Sequence, residues 1–239
     1  MSRQLDDLMQ AMAADPARVG PKLDALGAAL TPVLADEARD AYQRALKGQQ
    51  LNAAFLGTML ASILYGKLGR WRESLNSHID WLQLRFMTAQ SVEEYASVHE
   101  TARDAVTKGA DIKARDLALQ ARVLAADSAY FASEAAGAGT KEKATWLAAA
   151  LEDVLAAFTA SPREAAEGGW GEKLLGVLCA AAVDIESSAL DRDPKLAGLL
   201  KKAAAKAQAS VPADYAVQGD AKKTQWIRQT LARLAAKQG

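Results

Sequence analysis

Apolar residues recur along this chain at spacings of three and four, and no window of useful length alternates apolar with polar positions. That periodicity predicts helices near 3–14, 16–30, 32–47, 50–67, 70–89, 92–107, 111–136, 141–159, 162–167, 171–190, 194–209 and 220–237. Several faces are legible. Leu147, Leu151, Val154, Leu155 and Phe158 form one stripe. Leu117, Leu124 and Phe131 recur every seven residues with Ala121, Ser128 and Ala135 between them, a narrow seam suited to close packing within the chain or against a second copy. Trp226, Ile227, Leu231 and Leu234 share a face of the last helix. Residues 50–67 are apolar nearly all round, which predicts a central, buried helix.

The boundaries carry capping chemistry. Asp15-Pro16, Thr31-Pro32, Ser161-Pro162 and Asp193-Pro194 each place a capping residue before a proline at the first helical position. Ser91 with Glu94, and Ser161 with Glu164, have capping-box spacing. Gly48, Gly69, Gly109, Gly137 with Gly139, and Gly168-Gly169 are the expected stops. The fold class is therefore all-α, built from antiparallel helical hairpins as a compact multi-helix bundle or a short solenoid. The longest unpatterned stretch, 210–219, divides a helical domain over 1–210 from a C-terminal basic helix at 211–239, expected to dock on it.

Composition narrows the functions. The 239 residues carry 29 basic and 29 acidic side chains, so overall charge does not commit the chain to nucleic acid. One cysteine, Cys179, excludes a disulfide framework and a cysteine-ligated metal site. The uncharged run 48–66 contains Gln49, Gln50, Asn52, Thr58 and Ser62, too polar for a membrane span. The first residues, MSRQLDDLMQAMAADP, lack the apolar core of a signal peptide, so a cytoplasmic location is expected.

Two segments resemble parts of the tetratricopeptide repeat. Ala38-Arg-Asp-Ala-Tyr42-Gln-Arg-Ala45 is similar to its second helix. Tyr65-Gly-Lys-Leu68-Gly69-Arg-Trp71-Arg-Glu-Ser74-Leu75 looks like its inter-helix turn. Aligning Ala38 with Ser74 gives a register of 36 residues, beside roughly 34 in the family. The chain departs from the pattern with Val33 at the expected turn glycine, and with His78 and Trp81 where Tyr or Phe and Ala are usual. The resemblance covers about residues 31–82 and implies stacked hairpins with a concave, peptide-binding surface.

Candidate chemistry is sparse. His78 and His99 lack the Glu-x-x-His pairs of di-iron bundles and the His-Glu-x-x-His spacing of zinc proteases, so structural roles are expected and no metal or cofactor is assigned. Cys179 lies in Leu174-Leu-Gly-Val-Leu-Cys-Ala-Ala-Ala-Val183, an apolar setting that makes a thiol inert. No serine-nucleophile or phosphate-loop motif occurs. Gly168-Gly169-Trp170-Gly171 reads as a turn between helices with Trp170 docked. Glu100 with Asp104, and Asp184 near Glu186, are acid pairs expected on solvated faces.

Trp71 and Trp81, ten residues apart, flank one side of a helix and, with Tyr65 and His78, are the candidate floor of a partner groove. Residues 140–194 carry five basic and ten acidic side chains, whereas 195–239 carry nine basic and two acidic. Lys201, Lys202, Lys206, Lys222, Lys223 and Arg228 form the candidate basic patch, unless the preceding acidic segment neutralises it.

The function expected first is a non-enzymatic module that binds another protein in a groove between hairpins, as an adaptor, chaperone-like or toxin-neutralising factor. The alternative is an enzyme or small-ligand binder with a carboxylate- and histidine-lined pocket inside the helices. A second alternative is an accessory factor held to nucleic acid or anionic membrane by the basic C-terminal helix. Self-association stays open.

Overall fold

The computed structural model describes residues 2–27, 30–137 and 139–236. Eleven α-helices and no strand occur among them, so the fold is all-α. They are α1 (Arg3–Ala14), α2 (Val19–Leu26), α3 (Pro32–Lys47), α4 (Leu51–Lys67), α5 (Trp71–Thr88) and α6 (Val92–Asp111). Then follow α7 (Arg115–Ala135), α8 (Lys141–Ala160), α9 (Gly168–Ser187), α10 (Pro194–Ser210) and α11 (Ala221–Ala236). Short 3-10 turns occupy Pro16–Arg18, Glu164–Ala166 and Ala189–Arg192. Among the described residues no helix is long and apolar enough to cross a membrane. Of the expected segment 16–30, Ala28 and Ala29 lie outside the described residues, as does Lys237 of the last helix.

The chain forms two compact units. The first comprises Met1–Thr88 with Thr107–Leu117, which brings in the last turn of α6 and the first of α7. The second comprises Ala89–Val106 with Ala118–Gly239.

The first unit is organised on α4, which packs against α3 on one side and α5 on another. Its near-uniform apolarity is thereby explained, because Leu60, Ala61, Leu64 and Tyr65 are all within 1 % of full burial. They meet Leu34, Ala35 and Ala38 of α3, Leu5, Leu8 and Met12 of α1, and Val19 and Leu23 of the α2 segment. Close approach of α3 and α4 depends on Gly57, where a Cβ would stand 2.9 Å from the Tyr42 backbone nitrogen. A different device joins α4 to α5. Thr58 Oγ1 donates to the Ser77 carbonyl at 2.7 Å, and Ser62 and Ser74 exchange hydroxyl-to-carbonyl bonds at 3.0 and 2.8 Å.

The core of the second unit collects Leu119, Val123, Ala126 and Ala129 of α7 with the stripe of α8, most of α9, and the apolar faces of α10 and α11. Of the α7 seam, Leu117, Ala121, Leu124 and Ser128 are buried, but Phe131 is 43 % exposed. α11 packs on α9 and α10, with Ile227, Leu231 and Leu234 in the core and Trp226 left 36 % exposed.

Some helix ends fall where the capping chemistry put them. Asp15 accepts from the Ala17 amide, Asp193 from those of Lys195 and Leu196, and Ser91 and Glu94 bond each other's amides as a capping box. Thr31 makes no side-chain cap, and Ser161 ends α8 before a 3-10 turn. The glycine run 168–171 is corrected more substantially: it is the first turn of α9, not a connection. Gly171 faces the Ala166 carbonyl oxygen, which a Cβ would meet at 2.6 Å, so the helix begins tight against the preceding turn. Trp170 packs against the core.

Candidate functional site

A concavity of the first unit lies along α5. Trp71, Ser74, Leu75 and His78 follow one another at helical spacing and share a face. With Ser62 of α4 and with Lys108, Asp111 and Ile112 at the end of α6, they line a cavity of about 350 Å³. The reciprocal Ser62–Ser74 bonds brace its α4–α5 wall. Gly66 stands beneath the indole: a Cβ there would lie 3.8 Å from Trp71 Cζ3 and 3.3 Å from Ser74 Oγ. Trp71 leans over α4 at that point yet stays 59 % exposed. Its neighbour Arg72 forms an ion pair with Asp116.

Along the helix, His78 stacks on Trp81 with ring centroids 5.4 Å apart, and the Arg85 guanidinium lies 5.2 Å from the Trp81 ring centre. The stripe is thus apolar and aromatic at its centre and carries charge at its rim.

Three of the four residues expected in a groove therefore share this face: Trp71 and His78 line the cavity and Trp81 continues it. Tyr65 does not. It is 1 % exposed, its hydroxyl donates to Asp36 Oδ1 at 2.6 Å, and the Arg70 guanidinium covers its ring at 4.8 Å. Burial and the Asp36 bond push its phenol up to about 12, as expected of a strut between α3 and α4. Ser62, Leu75, Lys108, Asp111 and Ile112 were missed. The wall from α6 arises because that helix continues through Gly109, the expected stop, to Asp111.

The expected basic patch is divided. Lys223 pairs with Glu172 at 2.5 Å, and Arg228 donates to the carbonyls of Ala213 and Tyr215, closing the loop before α11. Arg233 pairs with Glu186. Segment 140–194 thus neutralises part of its basic successor. Lys201, Lys202, Lys206 and Lys222 are exposed.

The second unit buries charge of its own. The ammonium of Lys143, 8 % exposed, sits 2.7 Å from Glu134 and 3.2 Å from Asp184. Burial works against the charged lysine, but bonds to these two acids outweigh it and raise its pKa. Burial raises Asp184, assisted by a hydrogen bond with Glu134. Asp184 was expected on a solvated face; only a fifth of its side chain is exposed. Burial also holds Asp127 at about 6, against the pull of Lys173 at 3.8 Å. His99 Nε2 lies 3.0 Å from Asp153 Oδ2, with both side chains buried. Cys179 is fully buried, and its thiol is pushed up to about 12. Sequence patterning held a signal for one buried charge: Lys143, four residues before Leu147, falls beside the core-facing stripe of α8. Among the described residues no cluster of three or more His, Cys, Asp or Glu side chains is arranged to hold a metal ion. No protein-family model, curated protein or solved structure matches the chain.

Proposed function

We propose that this protein is a non-enzymatic interaction module that receives an apolar side chain of another protein in the α5 cavity. One observation carries the reading: Trp71 stands 59 % exposed at a cavity of about 350 Å³. An exposed indole is costly to keep in water, and tryptophan is the residue most enriched where binding energy concentrates. The lining supports an uncharged anchor. Leu75, Ile112 and Trp71 offer apolar contact, while Lys108 and Asp111 balance each other in charge and suit a polar backbone at the rim. The resemblance of residues 31–82 to tetratricopeptide hairpins is in keeping with a peptide-binding role.

The test is quantitative capture of partners by the tagged native chain and by Trp71→Ala, with Trp226→Ala as the control. One protein retained in stable ratio by the native chain and the control, and at least tenfold depleted with Trp71→Ala, is the expected result. Equal retention by all three chains rejects the α5 cavity as the binding site.

A second reading, a small-ligand or enzyme pocket, is favoured by one detail: His78 and Asp111 line the same cavity. It predicts a low-molecular-weight ligand that survives gentle native mass spectrometry and is lost with His78→Ala.

A further inference from the structure

The cations of the last two helices fall into two groups. On α11, Lys223 and Arg233 are paired with Glu172 and Glu186, and Arg228 is bonded to two backbone carbonyls. On α10, Lys195, Lys201, Lys202 and Lys206 are all exposed, and none of them forms an ion pair among the described residues. Neither helix contains an acidic residue. Most of the unpaired positive charge therefore sits on α10 rather than on the last helix.

Helical geometry arranges these lysines. Leu196, Leu200, Ala203, Ala204 and Ala207 face the core. On the opposite side, Gly198, Ala205 and Ala209 follow one another at spacings of seven and four and form a strip of small residues. Lys195, Lys202 and Lys206 run along one edge of that strip at the same spacings, and Lys201 stands on the other edge. Charge is balanced at the N-terminal end, where Lys195 shares a groove with Lys141, Glu152 and Asp193. Beyond it, residues 197–213 carry Lys201, Lys202 and Lys206 and no acid. Lys202 and Lys206, one turn apart, repel each other, and no acidic neighbour on the helix relieves them. A bound polyanion would.

We propose that Lys201, Lys202 and Lys206 bind the phosphate backbone of duplex nucleic acid, with the outward strip of α10 laid against it. Charge complementarity commits this surface to a polyanion, and the residue types choose the duplex. Ammonium groups are compact point charges that meet phosphate oxygens without a fixed geometry, whereas carboxylates of an acidic peptide favour the arginine fork, and α10 has no arginine. The helix also has no exposed large apolar side chain to enter a lipid surface, and no aromatic ring on which unpaired bases would stack. Alanine and glycine between the lysines let the phosphate backbone approach closely. Contacts confined to phosphates position a protein without reading bases, so binding is independent of sequence. The strip lies in the second unit and the α5 cavity in the first, so neither site depends on the other.

The test is fluorescence anisotropy of a labelled DNA duplex of mixed sequence, titrated with the full chain across a salt series. Saturable binding is expected with Kd on the order of 10–100 µM at about 50 mM salt, and log K should fall against log salt with a slope of about −3, roughly 0.9 per phosphate contact. A second duplex of unrelated sequence binds equally, and a single strand more weakly. Lys202→Gln with Lys206→Gln weakens binding by roughly tenfold and reduces the slope by about two. Lys22→Gln with Lys47→Gln removes the same charge from exposed positions of the first unit and leaves binding nearly unchanged. Circular dichroism confirms that both double variants are folded. Absence of saturation, or equal weakening by the two double variants, overturns the proposal. Tighter binding to phosphatidylserine vesicles or to polyglutamate than to the duplex also overturns it, and assigns the strip to a membrane or to an acidic protein instead.

Discussion

Asp153 lies on the buried face of α8 beside Ala150, Val154 and Ala157. An isolated carboxylate there would carry a large desolvation cost; His99, Arg122 and Arg103 offset it. Removing the carboxylate takes away the group to which His99, Arg122 and Arg103 all turn, and leaves the mostly buried Arg122 guanidinium without that acid. Asp153→Ala is therefore expected to lower unfolding free energy by about 3–5 kcal/mol in urea titration, more than a neutral cavity of that size would cost. Legibility at this scale was uneven. A charged residue beside an apolar stripe marks a buried ionic group, so Lys143 could be flagged from α8 alone; Asp153 lies away from that stripe and is hidden from such a reading. So are its partners, since His99 is 54 residues from Asp153 in sequence. Tyr65 failed for a related reason: an aromatic on a helix that is apolar all round has no preferred face, and only the fold decides that it meets Asp36.

At the scale of elements, periodicity located the helices well because burial imposes it, whereas their ends depend on single backbone conformations. Three ends show this. After α4, Gly69 takes φ +71° and the Arg70 amide donates back to the Tyr65 carbonyl at 2.9 Å. α3 and α6 end in the same closure, but with Gln49 at φ 56° and Lys113 at φ 59° in the left-handed position. The Gln50 amide reaches the Ala45 carbonyl at 2.9 Å, and the Ala114 amide reaches that of Gly109 at 2.8 Å. Gly48 caps α3 where the sequence puts its end, although Gln49 takes the left-handed position; Gly109 stands inside α6 without filling that position, which is why it misplaces the stop of that helix. A side chain in that conformation costs roughly 1–2 kcal/mol, partly offset by the lower chain entropy of a non-glycine residue. Gln49→Gly and Lys113→Gly are each expected to stabilise the chain by about 0.5–1 kcal/mol, and Gly69→Ala to destabilise it, as read from chemical denaturation midpoints.

At the scale of the whole molecule, balanced charge conceals opposed pH responses. Burial raises Asp80 and Asp127 from 3.8 to about 6, while hydrogen bonds from Ser2 and Arg70 lower Glu37 and Glu73. For a raised acid the folded chain holds a proton that the unfolded chain has released. Its favourable contribution is therefore full below about pH 4 and is lost as pH rises through about 6. The lowered glutamates act in the reverse sense, supporting the fold above their unfolded values. Asp127→Asn separates the two: relative to the native chain it should gain on the order of 2 kcal/mol more stability at about pH 7.5 than at about pH 4, measured as paired thermal midpoints. Cys179 adds a consequence of another kind. It is the only sulfhydryl in the chain and is sealed in the core of the second unit. Alkylation under native conditions must wait for that unit to open, so the rate at which a small electrophile is consumed acts as a stopwatch for its opening alone.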